Sequence, residues 1–259
     1  MSVETTRGNV VCDLDGVVYL PGAGIAGAGQ ALTEIAARGY RIVFATNNSS
    51  RHPRDVAARI REATGFAADP GQVVTSAHAA ATLAGPGDAP AFVLGESGLT
   101  EMLEEHGIAV TGDPGAARSV FVGLDRTLTY ERLRGAAAAV LGGARLIATN
   151  DDATLPTAEG PWPGAGSMVA AVERASGRRA EIAGKPHPAM RAAVAARLGA
   201  GPTWMVGDRP ETDIAFGAAA GWTTVLVLSG ITPAGGDRPI DPAPDHLVPS
   251  IADVPALLS

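Results

Sequence analysis

The chain has almost none of the groups that staple a fold, anchor it in lipid or draw it to nucleic acid. Its 259 residues include one cysteine, Cys12, so no disulfide framework can form within it. That scarcity fits a reducing compartment. Aromatic residues make up only 4%, and no apolar run reaches the roughly 20 residues that a membrane-spanning helix requires. The opening Met1-Ser2-Val3-Glu4-Thr5-Thr6-Arg7 lacks the apolar centre of a secretory leader. A formal net charge of -7, with no basic run, excludes the electrostatic footprint of a nucleic-acid binder. We read a soluble, cytoplasmic protein with no nucleic-acid or membrane partner; homodimerisation stays open. Lysine is the last scarcity. Lys185 stands alone beside 19 arginines, in the tight loop Gly184-Lys185-Pro186. Either it is simply the one left over, or it marks a place where a compact ammonium works and a wide guanidinium fork does not.

What is present is a 46% hydrophobic content, much of it alanine. It is laid out as short apolar runs alternating with helical patterns, the signature of parallel α/β structure. Strands are predicted at 9–13, 41–46, 91–95, 119–123, 145–149, 203–207 and 223–228, and helices at 28–38, 53–64, 76–84, 97–106, 129–141, 165–176, 188–198, 211–220 and 250–258. The Pro- and Gly-rich segment 229–249 reads as a surface loop leading to a last short strand and helix. The middle third forms its own α/β unit, and the chemically suggestive motifs lie outside it. The implied arrangement is a catalytic domain built from both ends of the chain, with a second domain inserted.

Four motifs fall at the carboxyl end of a predicted strand or in the loop beyond it, where open α/β sheets bind ligands. In Asp13-Leu14-Asp15-Gly16-Val17, the period-two geometry of a strand sends both carboxylates to one side. Gly16 then permits a sharp turn. Paired acids in such a place are costly unless a cation or a reaction uses them. Thr46-Asn47-Asn48-Ser49 offers a hydroxyl, amides and backbone N–H groups suited to a phosphate. Lys185 is the third site. The fourth is Gly207-Asp208-Arg209-Pro210-Glu211-Thr212-Asp213. Each alone also reads as an ordinary turn or helix cap; turn chemistry does not readily produce all four in this order.

Together these motifs resemble the four ordered motifs of the haloacid dehalogenase superfamily, and more closely its type IIA, p-nitrophenyl-phosphatase-like phosphatases. Gly123-Leu124-Asp125-Arg126, Ala148-Thr149-Asn150-Asp151, Pro163-Gly164-Ala165-Gly166-Ser167 and Pro244-Asp245-His246-Leu247 fit the same group, so the resemblance spans nearly the whole chain. It implies a Rossmann-like core of residues 1–77 and 181–259 with a parallel sheet, and an inserted α/β cap of residues 78–180. It also implies a magnesium-dependent phosphomonoesterase acting on a small phosphorylated metabolite: a sugar, glycerol, glycolate, nucleotide or pyridoxal phosphate. Asp13 would be the nucleophile, forming an aspartyl-phosphate, and Asp15 the acid and then the base. Thr46 and the Asn47 backbone would hold phosphoryl oxygens, and Lys185 would offset their charge. Mg2+ would be held by the carboxylates of Asp13 and Asp208 and the carbonyl of Asp15, with Asp213 acting through water or as support. Asn48, Arg126, Asn150, Asp151 and Arg209 are candidates for substrate selection.

A phosphotransferase or phosphomutase would use the same Asp pair, and a phospho-ligand-binding protein without catalysis is the alternative of a different class. Gly22-Ala23-Gly24-Ile25-Ala26-Gly27 matches a dinucleotide-binding pattern but starts too far past the first strand, and reads as loop. The five histidines show no metal-ligand spacing and read as structural or surface groups. Met168, Met190 and Met205 read as core.

Overall fold

The computed structural model describes residues 6–157, 159–232 and 239–258. Most of the opening segment read for a leader, and residues 233–238 of the Pro- and Gly-rich segment, lie outside the described residues. In chain order the strands are β1 (Gly8–Cys12), β2 (Tyr19–Leu20), β3 (Ala23–Gly24), β4 (Tyr40–Thr46), β5 (Val73–Thr75), β6 (Ala91–Leu94), β7 (Ser119–Val122), β8 (Arg145–Ala148), β9 (Thr154–Thr157), β10 (Gly160–Pro163), β11 (Glu181–Ile182), β12 (Thr203–Gly207), β13 (Thr223–Val227) and β14 (His246–Val248). The helices are α1 (Ala28–Ala37), α2 (Pro53–Thr64), α3 (Ser76–Leu83), α4 (Ser97–Glu105), α5 (Tyr130–Leu141), α6 (Ala165–Ser176), α7 (Pro188–Ala195) and α8 (Ala215–Ala219). The chain divides into two compact units. One comprises Met1–Thr46, Pro53–Val74 and Val194–Ser259; the other comprises Asn47–His52 and Thr75–Ala193.

The first unit is built on a sheet of order β14-β13-β12-β1-β4-β5. Strands β14, β13, β12, β1 and β4 pair in parallel. All five residues of β1 are buried, as expected of a central strand covered on both faces. Val10, Cys12, Ile42 and Phe44 pack on one face with Leu32 and Ile35 of α1, Val56 and Ile60 of α2, and Ile251 and Val254 near the C-terminus. Cys12 is wholly buried in that layer. The register sets Cys12 beside Val206 on one side and Phe44 on the other. The carboxyl ends of β1 and β12 therefore lie side by side, and the residues that follow them are Asp13 and, one position beyond Gly207, Asp208.

The second unit carries a parallel sheet of order β11-β8-β7-β6. Ala136 and Val140 of α5 and Met168, Val169 and Val172 of α6 pack on Phe92, Val120, Val122, Leu146 and Ala148. Gly135 permits the close approach: a Cβ there would lie 3.0 Å from the Phe92 ring. Strands β9 and β10 form an antiparallel hairpin beside this sheet in the chain.

The seven predicted strands form within a residue or two of the expected bounds. The short strands β2, β3, β5, β9, β10 and β11 were not expected; they run two to four residues, too few to show a period. Three helices differ. The expected helix 188–198 ends at Ala195, and residues 211–220 split into a wide π turn, Pro210–Ile214, and the short α8. The expected helix at 250–258 is a 3-10 segment, Ile251–Leu257, tightened around Pro255. The glycine-rich stretch expected as loop contains β3, paired with β2. Phe44 is fully buried and Leu141 is 66% exposed. Phe44→Ala is expected to cost about 3–5 kcal/mol of unfolding free energy, and Leu141→Ala less than about 0.5 kcal/mol, read from denaturant midpoints at constant m.

Candidate active site

In the first unit, Asp13 emerges from β1 with its backbone N–H donating to the Val206 carbonyl at 2.9 Å. The chain then folds back over residues 14–19. The Leu14 carbonyl accepts from the N–H groups of Val17, Val18 and Tyr19, and the Gly16 N–H donates to the Tyr19 carbonyl at 2.9 Å. Gly16 sits at φ 90°, a conformation open to glycine at little cost. Asp15 is half-buried. Tyr19 lies beneath the Arg59 guanidinium, 4.5 Å from the ring centroid. Burial, and after it the negative charge of Asp15, drives the Tyr19 hydroxyl far above its ordinary pKa, so it stays protonated.

The end of β12 supplies the partners. The Asp213 Oδ2 accepts from the backbone N–H groups of Asp208 and Arg209, both at 3.1 Å, and so closes the π turn back onto the strand end. Gly207 makes room for this, since any Cβ there would collide with the Asp213 side chain. Asp208 is fixed from the loop after β13: the Ile231 N–H donates to its Oδ2 at 2.7 Å, and the Thr232 hydroxyl donates to its carbonyl at 2.6 Å. The Ser229 hydroxyl donates to the Gly16 carbonyl at 2.7 Å, tying that loop to the turn after β1.

The result is a group of three buried carboxylates. Asp13, Asp208 and Asp213 are 8%, 1% and 1% exposed and present oxygens that all lie within 4.8 Å of one another. Two full charges at that spacing repel by about 3 kcal/mol even at an effective dielectric of 20. A buried all-oxygen set of this kind fits a hard divalent cation such as magnesium or calcium. The Asp15 carboxylate is not in the group; the ligand role implied for Asp15 is through its carbonyl.

The other expected residues fall elsewhere. Thr46 ends β4, 2% exposed, in the first unit. In the second unit Lys185 is 2% exposed. Its backbone N–H donates to the Asn47 Oδ1 at 2.7 Å, and its carbonyl accepts from the Asn47 Nδ2 at 3.1 Å. The Asn48 Oδ1 accepts from the backbone N–H and hydroxyl of Ser50. Arg126 forms a fork with Glu96, Nε and Nη2 each at 2.7 Å from a carboxylate oxygen. That pairing holds the Glu96 carboxyl below its ordinary pKa and raises that of Arg126. Asn150 is buried and donates to the Asn47 carbonyl. Asp151 faces His187 at 3.5 Å, and that contact lowers its pKa. Arg209 contributes its backbone N–H to Asp213.

The sequence reading missed Ser229, Ile231 and Thr232, which brace Asp208 and Gly16; the available signal was that they follow the end of a sheet strand. It also missed Ser76, whose hydroxyl donates to the Asn47 carbonyl at 2.5 Å. Adding a Cβ at Gly16 would drive it into the Asp208 carboxylate. Gly16→Ala is therefore expected to lower stability by at least about 1 kcal/mol and to weaken divalent-cation binding about tenfold or more, measured by calorimetric titration with Mg2+.

Comparison with known proteins bears directly on this geometry. A family model described as haloacid dehalogenase-like hydrolase matches residues 10–109, and a second, HAD-hydrolase-like, matches residues 182–254. The chain is 36% identical over 255 residues to the dihydroxyacetone phosphatase of Corynebacterium glutamicum (strain R), covering 96% of this chain and 91% of the relative. It is 38% identical over 271 residues to chronophin of Homo sapiens, covering 95% and 91%. The crystal structure of the glycerol phosphate phosphatase of Mycobacterium tuberculosis in complex with magnesium superposes with a TM-score of 0.86 at 34% identity, covering 100% of this chain and 80% of that one. On these matches over nearly its whole length, the chain belongs to the haloacid dehalogenase-like hydrolases, among the type IIA phosphatases.

Proposed function

We propose that this phosphatase hydrolyses a small phosphorylated metabolite with magnesium, through an aspartyl-phosphate on Asp13. The observation that carries the reading is the buried trio of Asp13, Asp208 and Asp213 at the adjoining ends of β1 and β12. The relatives support the substrate class, since two of them are named for dihydroxyacetone phosphate and glycerol phosphate chemistry. Sugar, glycolate, nucleotide and pyridoxal phosphates belong to the same class. We assign residues 1–77 and 181–259 to the catalytic core and residues 78–180 to the cap.

Mg2+ held by Asp13, Asp208 and the Asp15 carbonyl, with Asp213 in support, would neutralise charge that otherwise repels a phosphate dianion. An Asp13 oxygen attacks phosphorus while the ester oxygen departs, and Asp15 gives that oxygen its proton. Asp15, now ionised, takes a proton from water as the water oxygen attacks the same phosphorus. The Asp13–phosphorus bond breaks, returning Asp13 as a carboxylate and releasing inorganic phosphate. Thr46 and the Asn47 backbone N–H hold phosphoryl oxygens, and the Lys185 ammonium offsets their charge. Arg209 and the cap residues Arg126, Asn150 and Asp151, with Asn48, are the candidates for sorting substrates. For Arg126 the fork to Glu96 argues that it shapes the loop.

A panel of phosphomonoesters assayed with magnesium tests the reading. Wild type should release inorganic phosphate without a second substrate, and chelation should abolish the reaction until Mg2+ is restored. Asp13→Asn should lower turnover about a thousandfold or more; full turnover in that variant would overturn the mechanism. Asp15→Asn should slow hydrolysis of alkyl esters about a hundredfold or more. With p-nitrophenyl phosphate, whose leaving group needs no proton, the same variant should accumulate a hydroxylamine-labile phosphoenzyme.

A further inference from the structure

The Asn47 side chain does not stand free at the end of its loop. Its Oδ1 accepts from the Lys185 N–H at 2.7 Å, and its Nδ2 donates to the Lys185 carbonyl at 3.1 Å. One amide group thus grips both faces of a single residue's backbone, as a neighbouring strand would. Gly184 permits the approach: a Cβ there would lie 2.6 Å from the Asn47 Oδ1 and 2.7 Å from the Thr149 carbonyl. The second Nδ2 hydrogen is directed at Asp152, whose carboxylate oxygens lie at 3.2 and 3.3 Å.

The Asn47 main chain is held in turn. Its carbonyl accepts from the Ser76 hydroxyl at 2.5 Å and from the Asn150 Nδ2 at 2.7 Å, which occupies both of its lone pairs. Asn150 is itself locked, because its Oδ1 accepts from the Asp152 N–H at 3.1 Å and its Nδ2 lies 3.4 Å from the Thr149 hydroxyl. Ser76, Thr149, Asn150 and Lys185 are all buried, at 0%, 0%, 4% and 2% exposure. Three segments far apart in sequence, around Ser76, Asn150–Asp152 and Gly184–Lys185, therefore meet on Asn47, and every bond lies within the second unit.

We infer that Asn150, assisted by Ser76, is a positioning residue: by fixing the Asn47 peptide it holds the Asn47 amide on the Lys185 backbone, and so sets the two groups that serve the phosphoryl moiety. The inference rests on the proposed function for the roles of Asn47 and Lys185. It moves Asn150 from substrate selection to phosphate binding common to all substrates. Asn150 has no proton to give to a reaction; both its amide hydrogens and its carbonyl oxygen are used within the protein.

Asn150→Asp tests this with almost no change in volume. It keeps the acceptor for the Asp152 N–H and replaces the donor with an anionic oxygen facing the Asn47 carbonyl. Asn150→Ala removes the donor without adding repulsion. Binding of inorganic phosphate with Mg2+ present, read by calorimetry, needs no turnover. Dissociation constants should rise about tenfold in Asn150→Ala and more in Asn150→Asp. Mg2+ affinity without phosphate should stay unchanged, as should the order of preference among phosphate esters, with kcat/KM falling by a common factor. Ser76→Ala should give the same pattern and serves where an Asn150 variant fails to fold, with the melting temperature as the control. Unchanged phosphate binding in folded variants would overturn the inference. So would a reordered substrate preference at constant phosphate affinity, which would return Asn150 to leaving-group recognition. Failure of wild type to hydrolyse any ester would strike the proposed function instead, and the phosphate titration would still decide the positioning role.

Discussion

Mutual repulsion among Asp13, Asp208 and Asp213 is the constraint around which the first unit is arranged. Left in water, these groups would separate; here the strand register fixes the two chain segments that carry them side by side. The surroundings are spent on holding carboxylates that oppose one another. Asp213 accepts two backbone N–H groups and Asp208 accepts one more. Three glycines, at positions 16, 207 and 230, leave room where a side chain would strike Asp208 or Asp213. Such rigid, charge-opposed geometry favours a divalent cation because the reorganisation that binding would otherwise require has been met by folding.

The second unit solves a different problem with different forces. Asn47 is organised mainly by neutral amides and a hydroxyl, with the Asp152 carboxylate as its one charged partner among the described residues, in a buried setting where an unmade hydrogen bond is expensive and a satisfied network is stiff. Asn47 lies next to Thr46 in sequence, yet the two belong to different compact units. The peptide between them is thus where the sheet of one unit hands the chain to the network of the other. A loop so placed takes its stiffness from the network beyond it, through Ser76, Asn150 and Lys185.

The sheet and the acidic motifs were legible because each rests on local signals. Apolar runs of strand length marked β1, β4, β12 and β13, and Asp13 and Asp208, just past β1 and β12, are brought together with Asp213 at the carboxyl ends of those strands. The partners of Arg126 and Asn150 were not legible in this way, because a side chain's partner is a tertiary fact. Glu96 lies thirty residues from Arg126, and Asn47 lies one hundred and three from Asn150; nothing in either local pattern announces the pairing. The bracing by Ser229, Ile231 and Thr232 was hidden for a related reason. Two of its three bonds come from side-chain hydroxyls and one from a backbone N–H, in a segment whose composition spoke only of a loop.

The solitary lysine gains its meaning from burial. A lysine at 2% exposure in a chain that otherwise uses arginine is not explained by surface drift, which acts where side chains are solvated. An arginine at position 185 would bring a wider planar head with five N–H donors, each needing an acceptor once water is excluded. The ammonium needs three and can swing its stem to meet them. The backbone at this position has no freedom to compensate for a larger head, since Asn47 holds it by both its N–H and its carbonyl. With the main chain clamped and the side chain enclosed, a wider head at position 185 would have to find its room and its acceptors in the side-chain surroundings alone.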